Sequence, residues 1–455
     1  MNSNTFTWHP LQSLHPHSDT WRNIYSWAGL LGIALILFTS NLNGSPLLDS
    51  ERIISQLVTE MAQTSFLSGD WLFPTLQGQP YHQHPVLGLF LLTLNNGQGE
   101  LHPGSLRLVG AIFASFSVPL LYAVAREIFV LWRPSVLSAL VYLMLFPVVR
   151  CSRLATLDGI VLFWSILTVL CVLRSRRDFR WSLALGLSLS GLFLTQGLIA
   201  CLLTITLMVF LAWDTPRLLS SIYFWMGVSL GILPALTWYW MEWLVYGNAF
   251  LTDIFFHSFQ RGLHDFFVSL TYYPLAIIKY CWPWLIFACY GLRFAWQSLN
   301  WGWAKLILVW AACYGAIIVI LPLDTMSYLL PFCPALALAS GMILHESNYL
   351  PHDLSYPKSW WMILLSLSAV ASIISLFVVF DFPFALVLNE FDFTLLSDRL
   401  FLVLTLITVT LTWGITSTLI VRRNSQFIAV LLWGMYVSLL LVISSPYWTG
   451  NNIYF

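Results

Sequence analysis

Apolar runs long enough to cross a hydrocarbon core recur along this chain from Tyr25 to Val442, and they limit what it can fold into. They lie at 25–40, 105–131, 134–149, 157–173, 181–195, 197–213, 220–244, 274–297, 302–321, 327–345, 359–380, 397–420 and 425–445. A soluble domain carries charge on roughly a quarter of its residues. Here only 9 % are charged and 58 % are hydrophobic, so the charged side chains cannot cover the apolar surface. The pattern predicts an all-α polytopic membrane protein with about thirteen transmembrane helices, residues 1–455 forming one membrane domain. Several of the runs are short or interrupted by proline. No small-residue cleavage site follows the first run, so 1–24 reads as a cytoplasmic segment rather than a cleaved signal. Zero net charge leaves no basic footprint for nucleic acid. The seven cysteines are scattered, without a C-x-x-C pair, and read as small core hydrophobes rather than metal ligands.

Lysine and arginine set the expected orientation. With the N-terminus inside, 13 of the 20 fall in cytoplasmic segments, and the densest cluster runs from Arg174 to Arg180. The outer segments hold Arg52, Arg107, Arg150, Arg153, Arg261, Lys279 and Arg399. Acidic residues run the other way, with 14 of 20 outside. Two readings fit that excess: plain solvation of outer loops, or a site that uses carboxylates.

Two outer loops are longer than connectors need to be, 41–104 and 246–273. In the first, Ile53, Ile54, Leu57, Val58 and Met61 form a helical stripe, and Pro85–Leu94 is a second short apolar piece. Neither reaches spanning length, so both are expected as amphipathic helices along the membrane surface. In the second loop Phe250, Ile254, Phe255 and Phe259 recur at helical spacing.

Polar residues that carry chemistry gather on this outer side. Asp49 and Glu51 stand where the chain enters the first loop, and Asp158 stands at the mouth of the fourth run, five residues after Arg153. A carboxylate there is either a functional group facing a cavity or a helix N-terminal partner for exposed N–H groups. His82 and His84 are two apart with no third ligand nearby in sequence, which favours a structural role over metal. His257 and Arg261 are four apart and share a helix face, which suits either a phosphate or lipid headgroups.

The series Asp49-Ser-Glu-Arg52, Ser68-Gly-Asp-Trp71, Pro74, Gly78, Tyr81 and His84-Pro85 resembles the first outer loop of GT-C membrane glycosyltransferases, in particular the protein O-mannosyltransferase and aminoarabinose transferase (glycosyltransferase 39/83-like) enzymes. Arg153-Leu-Ala-Thr-Leu-Asp158 resembles their second acidic motif. Phe255-Phe-His257-Ser-Phe-Gln-Arg261 resembles a later loop segment, and Ser327-Tyr-Leu-Leu-Pro331 with Pro334 a later helix. The chain departs from the pattern at three places. It has Asp49-Ser50 where many relatives have Asp-Glu, Gln83-His84-Pro85 where many have Glu-Lys-Pro, and no lysine ahead of Tyr-Leu-Leu-Pro.

The resemblance implies a GT-C bundle that transfers a sugar from a polyprenyl-phosphate-linked donor to an acceptor hydroxyl on a lipid, glycan or protein. The implied setting is a bacterial plasma (inner) membrane, with the site on the non-cytoplasmic side and no cofactor beyond an optional divalent cation. By the same resemblance Asp49 is the base, Glu51 its alternate if the motif shifts by one residue, and Asp158 the group that positions acceptor or base. Arg52, Tyr81, His84, Arg153, His257 and Arg261 would hold substrate and phosphate. The rival readings are a secondary transporter and a catalytically lapsed member of the same group.

Overall fold

Helices dominate because in hydrocarbon each backbone N–H and C=O must be satisfied within its own segment. The structure, a computed structural model, describes residues 16–64, 69–96, 102–252, 266–320, 326–349, 355–379 and 396–444. The helices are α1 (Pro16–Thr39), α2 (Asp49–Gln63), α3 (Val86–Asn96), α4 (Pro103–Phe129), α5 (Trp132–Leu143), α6 (Phe146–Ser152), α7 (Asp158–Ser175), α8 (Arg180–Phe193) and α9 (Gly197–Asp214). They continue as α10 (Ile222–Tyr246), α11 (Phe266–Tyr280), α12 (Trp284–Gln297), α13 (Gly302–Ile320), α14 (Met326–Ser347), α15 (Lys358–Val379), α16 (Leu396–Val421) and α17 (Phe427–Ser444).

Each of the thirteen apolar runs lies on helix, but not each is a full crossing. Among the described residues ten helices are long and apolar enough to span, or twelve with two bent pairs counted as one span apiece. The run at 134–149 is α5 and α6, bent by 60° ahead of Pro147, and that at 274–297 is α11 and α12, bent by 109° at Pro283. Proline lacks the N–H that would continue the ladder, so both breaks fall where the sequence places it. The run at 181–195 is α8, whose 14 residues are short of a straight crossing. The expected thirteen crossings therefore become ten to twelve.

Small residues let these helices approach closely. Gly159 at the start of α7 faces the Gly110 backbone of α4, and a methyl group there would collide with the Gly110 carbonyl. Gly186 of α8 and Gly231 of α10 make a second backbone-on-backbone crossing, and Gly291 of α12 meets Ala339 of α14.

The two expected loop helices are present as α2 and α3. Ile54, Leu57, Val58 and Met61 are buried, while Ile53 is 44 % exposed. Their buried face packs on protein rather than lying free along a surface: it joins Val86, Leu89, Leu92, Leu106, Leu157, Trp238 and Phe250 in one apolar cluster. Between the two helices a short hairpin pairs Thr75 with Pro80 and Leu76 with Gln79. Its turn needs positive φ at Gln77 and Gly78, and Glu60 of α2 accepts the Gln77 N–H at 2.6 Å. Residues 253–265 of the 246–273 loop, including Ile254, Phe255, His257, Phe259 and Arg261, lie outside the described residues.

Candidate active site

Glu51 organises the loop end of the bundle. It is the third residue of α2 and is fully buried, and its Oε2 accepts the Leu48 N–H at 2.9 Å, half of a capping box. Arg107 of α4 donates to both carboxylate oxygens, Nε to Oε1 at 2.8 Å and Nη2 to Oε2 at 2.7 Å. The Ala155 N–H donates to Oε1 at 2.6 Å. Four donors occupy the roughly four acceptor sites of a carboxylate, so no lone pair remains for an incoming proton. Glu51 is therefore a structural clasp, not the alternate base expected for it. It ties the entrance of the first loop to the segment that leads into Asp158.

Arg107 is equally committed. Beyond Glu51 it donates to the carbonyls of Leu42, Ser45 and Pro46. Arg153, expected to hold phosphate, is buried, and its Nη1 and Nη2 donate to the chain end of α1, the carbonyls of Leu37, Phe38 and Asn41. Those carbonyls are the negative pole of the α1 dipole and suit a guanidinium. Burial, with the nearby Arg107 charge, lowers its pKa to about 9. Together the two arginines stitch the α1–α2 linker to α4 and to the 153–157 turn.

Asp49 opens α2 on the exposed side, 79 % accessible, with Arg52 at 3.1 Å one helical turn on. Its carboxylate has open acceptor positions, unlike that of Glu51. Asp158 begins α7 and is nearly buried at 5 %. Its carboxylate accepts the hydroxyls of Thr156, at 2.8 Å, and of Ser327 at the start of α14. The chain thus brings three distant segments, near 49–52, 153–158 and 327, to one end of the bundle.

Tyr81 and His84 face each other across 5.9 Å between ring centres, and the Tyr81 hydroxyl donates to Gln83 at 3.3 Å. Burial moves the Tyr81 hydroxyl up to about 12 and the His84 imidazole down to about 4. His84 is therefore neutral near pH 7, and can donate a hydrogen bond but brings no positive charge of its own. His82 points elsewhere: it is buried 3.7 Å from Glu242 of α10, with its ring against Tyr246 and Phe250. Among the described residues no three His, Cys, Asp or Glu side chains gather as a metal site, and we assign no step to a divalent cation.

The sequence assigns no role at the site to Arg107, Ser327, Arg150 or Lys279. Ser327 carried a signal, since it stands inside the Tyr-Leu-Leu-Pro motif. The arginines and the lysine carried only their place among the outer charges.

Three comparisons bear on this geometry. A family model described as dolichyl-phosphate-mannose-protein mannosyltransferase matches residues 83–240. The chain is 27 % identical over 305 residues to undecaprenyl phosphate-alpha-4-amino-4-deoxy-L-arabinose arabinosyl transferase 1 of Pseudomonas fluorescens, covering 63 % of this chain and 54 % of that protein. It is 26 % identical over 310 residues to the corresponding transferase of Edwardsiella ictaluri, covering 62 % and 54 %. The chain spans about half the length of the curated relatives it matches. Its fold is similar to that of ArnT from Cupriavidus metallidurans. The TM-score is 0.70 against the apo state, at 18 % identity over 95 % of this chain and 78 % of that one. Against the undecaprenyl phosphate-bound state it is 0.69, at 17 % identity over 94 % and 77 %. Matches to transferases do not favour the transporter reading. In fold the chain is similar to ArnT, and residues 83–240 match the mannosyltransferase family model, with weaker sequence similarity to the arabinosyl transferases over about three-fifths of the chain.

Proposed function

We infer that this chain transfers a sugar from a polyprenyl-phosphate-linked donor to an acceptor hydroxyl on a lipid, glycan or protein, at the non-cytoplasmic face of a bacterial plasma membrane. The observation that carries this is the Glu51 clasp. By holding Arg107 and the Ala155 N–H together, it sets the open carboxylate of Asp49 at the bundle end where Asp158 begins α7. The curated relatives are transferases named for an undecaprenyl-phosphate-linked aminosugar, and a related fold has been solved with undecaprenyl phosphate bound.

In this reading Asp49 takes the proton of the acceptor hydroxyl as its oxygen attacks the anomeric carbon. The carbon–oxygen bond to phosphate breaks, the polyprenyl phosphate departs, and direct displacement inverts the anomeric centre. Arg52 orients Asp49. Asp158, fixed by Thr156 and Ser327, positions the acceptor. Tyr81 and His84 line the approach as neutral donors, and the phosphate-binding role that the resemblance gives His257 and Arg261 falls on residues outside those described. Hydrocarbon around the bundle admits the lipid tail, which is why such chemistry is built into a membrane protein.

The test compares purified wild type with Asp49→Asn in lipid nanodiscs, supplied with undecaprenyl-phosphate-linked sugar and an envelope extract. Release of free undecaprenyl phosphate by the wild type, reduced roughly 10²–10⁴-fold in Asp49→Asn, is the expected result. Equal release by both proteins would remove Asp49 from the role of base.

A further inference from the structure

α13 does not wind evenly. Trp310–Tyr314 form a π turn between two α-helical stretches, Gly302–Val309 and Gly315–Ile320. Such a turn takes up one extra residue, and one residue is about 100° of helix rotation. The end of α13 therefore faces a side that an even helix would turn elsewhere. Single π turns inside helices are frequent at functional sites.

Tyr314 closes this turn and is fully buried. Its hydroxyl donates to the Tyr328 carbonyl at 2.9 Å. Gly315 makes a second close approach, for a methyl group there would stand 3.1 Å from the Phe332 ring. Both partners belong to Met326–Phe332, seven residues wound as a 3-10 turn at the start of α14. A 3-10 run has poorer hydrogen-bond geometry than an α-helix and is rarely longer than four residues. Pro331 within it supplies no N–H. A turn of that length needs support from outside, and α13 gives it.

The same turn carries Ser327, next to Tyr328, and the Ser327 hydroxyl donates to Asp158 at the mouth of α7. Thr156, the other hydroxyl on Asp158, is two residues away on the same chain segment and moves with it. Ser327 comes from a different element, so its reach to Asp158 depends on where the 3-10 turn sits. Packing alone does not call for a tyrosine at 314. A phenylalanine would fill the space without burying a hydroxyl that must then be satisfied.

We propose that Tyr314 is a positioning residue for sugar transfer: through the Tyr328 carbonyl it holds the Met326–Phe332 turn so that Ser327 reaches Asp158. This rests on the transferase reading, in which Asp158 positions the acceptor. Tyr314 acts only through Ser327 and does not touch substrate. Tyr314→Phe keeps the ring and removes one neutral hydrogen bond, so transfer falls roughly threefold to tenfold. Ser327→Ala removes the contact to Asp158 itself and lowers transfer by at least as much.

The test measures release of undecaprenyl phosphate from undecaprenyl-phosphate-linked sugar by the full chain in nanodiscs, with an envelope extract as acceptor and the donor concentration varied. Wild type, Tyr314→Phe, Ser327→Ala and the double variant are compared. Independent sites add in their effects on free energy, whereas residues acting along one set of contacts do not. The expected result is a lower kcat for Tyr314→Phe with donor KM unchanged, and a double variant no slower than Ser327→Ala alone. Equal release by wild type and Tyr314→Phe, a loss confined to donor KM, or a double variant showing the product of the two single losses would overturn the positioning role. Each of these leaves the transferase reading standing. Ser327→Ala without loss would overturn the role whatever Tyr314→Phe does, even if that variant fails to fold. Absence of release by the wild type would overturn the role and the transferase reading together.

Discussion

Asp49 and Glu51 stand two residues apart with opposite fates, which shows how local context assigns a carboxylate its work. Glu51 is saturated by four donors and buried with Arg107, whereas Asp49 is exposed with one partner. Removing one member of a buried pair leaves the other uncompensated, typically at about 3–5 kcal/mol. Glu51→Ala is therefore expected to lower the unfolding temperature sharply and reduce the yield of folded protein, while Asp49→Asn unfolds like the wild type. Equal thermal stability of the two variants would refute the clasp. The sequence motif Asp-Ser-Glu-Arg shows both carboxylates but not which is spent, because the deciding partners, Arg107 and Ala155, lie 56 and 104 residues further on.

His84 carries a pH consequence. Its folded pKa is lowered from 6.5 to about 4, so between those values the unfolded chain binds a proton that the folded chain refuses. Its contribution to stability is complete above pH 6.5 and declines as pH falls toward 4. Replacement by glutamine, His84→Gln, is expected to flatten the fall in thermal stability between pH 7 and pH 5. An unchanged pH dependence would show that the imidazole is not desolvated in the fold.

At the scale of elements, the mouth of α7 is placed by a glycine contact as much as by charge. Gly159 follows Asp158 and lies against the Gly110 backbone of α4. Gly159→Val should push α7 from α4 and displace Asp158 from Thr156 and Ser327. The expected outcome is lost transfer with a lowered unfolding temperature, measured on purified protein; wild-type activity and stability would show that the crossing has slack. Helix existence was legible from the apolar runs, since hydrophobicity is required wherever chain meets lipid. Helix breaks were less so: Pro147 and Pro283 bend their spans, yet Pro119 and Pro234 sit inside helices that pass the spanning test. Proline marks where a ladder is weakened, and neighbouring packing decides whether the helix bends.

Across the whole molecule, the charge partition read from sequence resolves into two ends. Glu127 pairs with Arg174 and Arg177, and Asp214 with Arg176 and Lys305, all from segments assigned to the cytoplasm. Arg153, Arg107, Glu51 and Asp158 gather at the other end. The grouping was legible because lysine and arginine are denser in the segments read as cytoplasmic, 13 of 20. The site's detail was not, because charges spent on backbone carbonyls and charges left for a ligand look alike in a sequence. A cysteine at position 70 in the first loop is expected to react with an impermeant thiol reagent from outside the cell. Labelling only after the membrane is opened would invert the orientation.

The central claim, sugar transfer from a lipid phosphate with Asp49 as base, is tested most directly by mass spectrometry of envelope lipids, glycans and proteins from cells lacking this chain. Those cells are complemented with wild type or with Asp49→Asn. The expected result is a sugar-mass addition absent without the protein, restored by the wild type and not by Asp49→Asn. Full restoration by Asp49→Asn, or an envelope unchanged by loss of the protein, would contradict it.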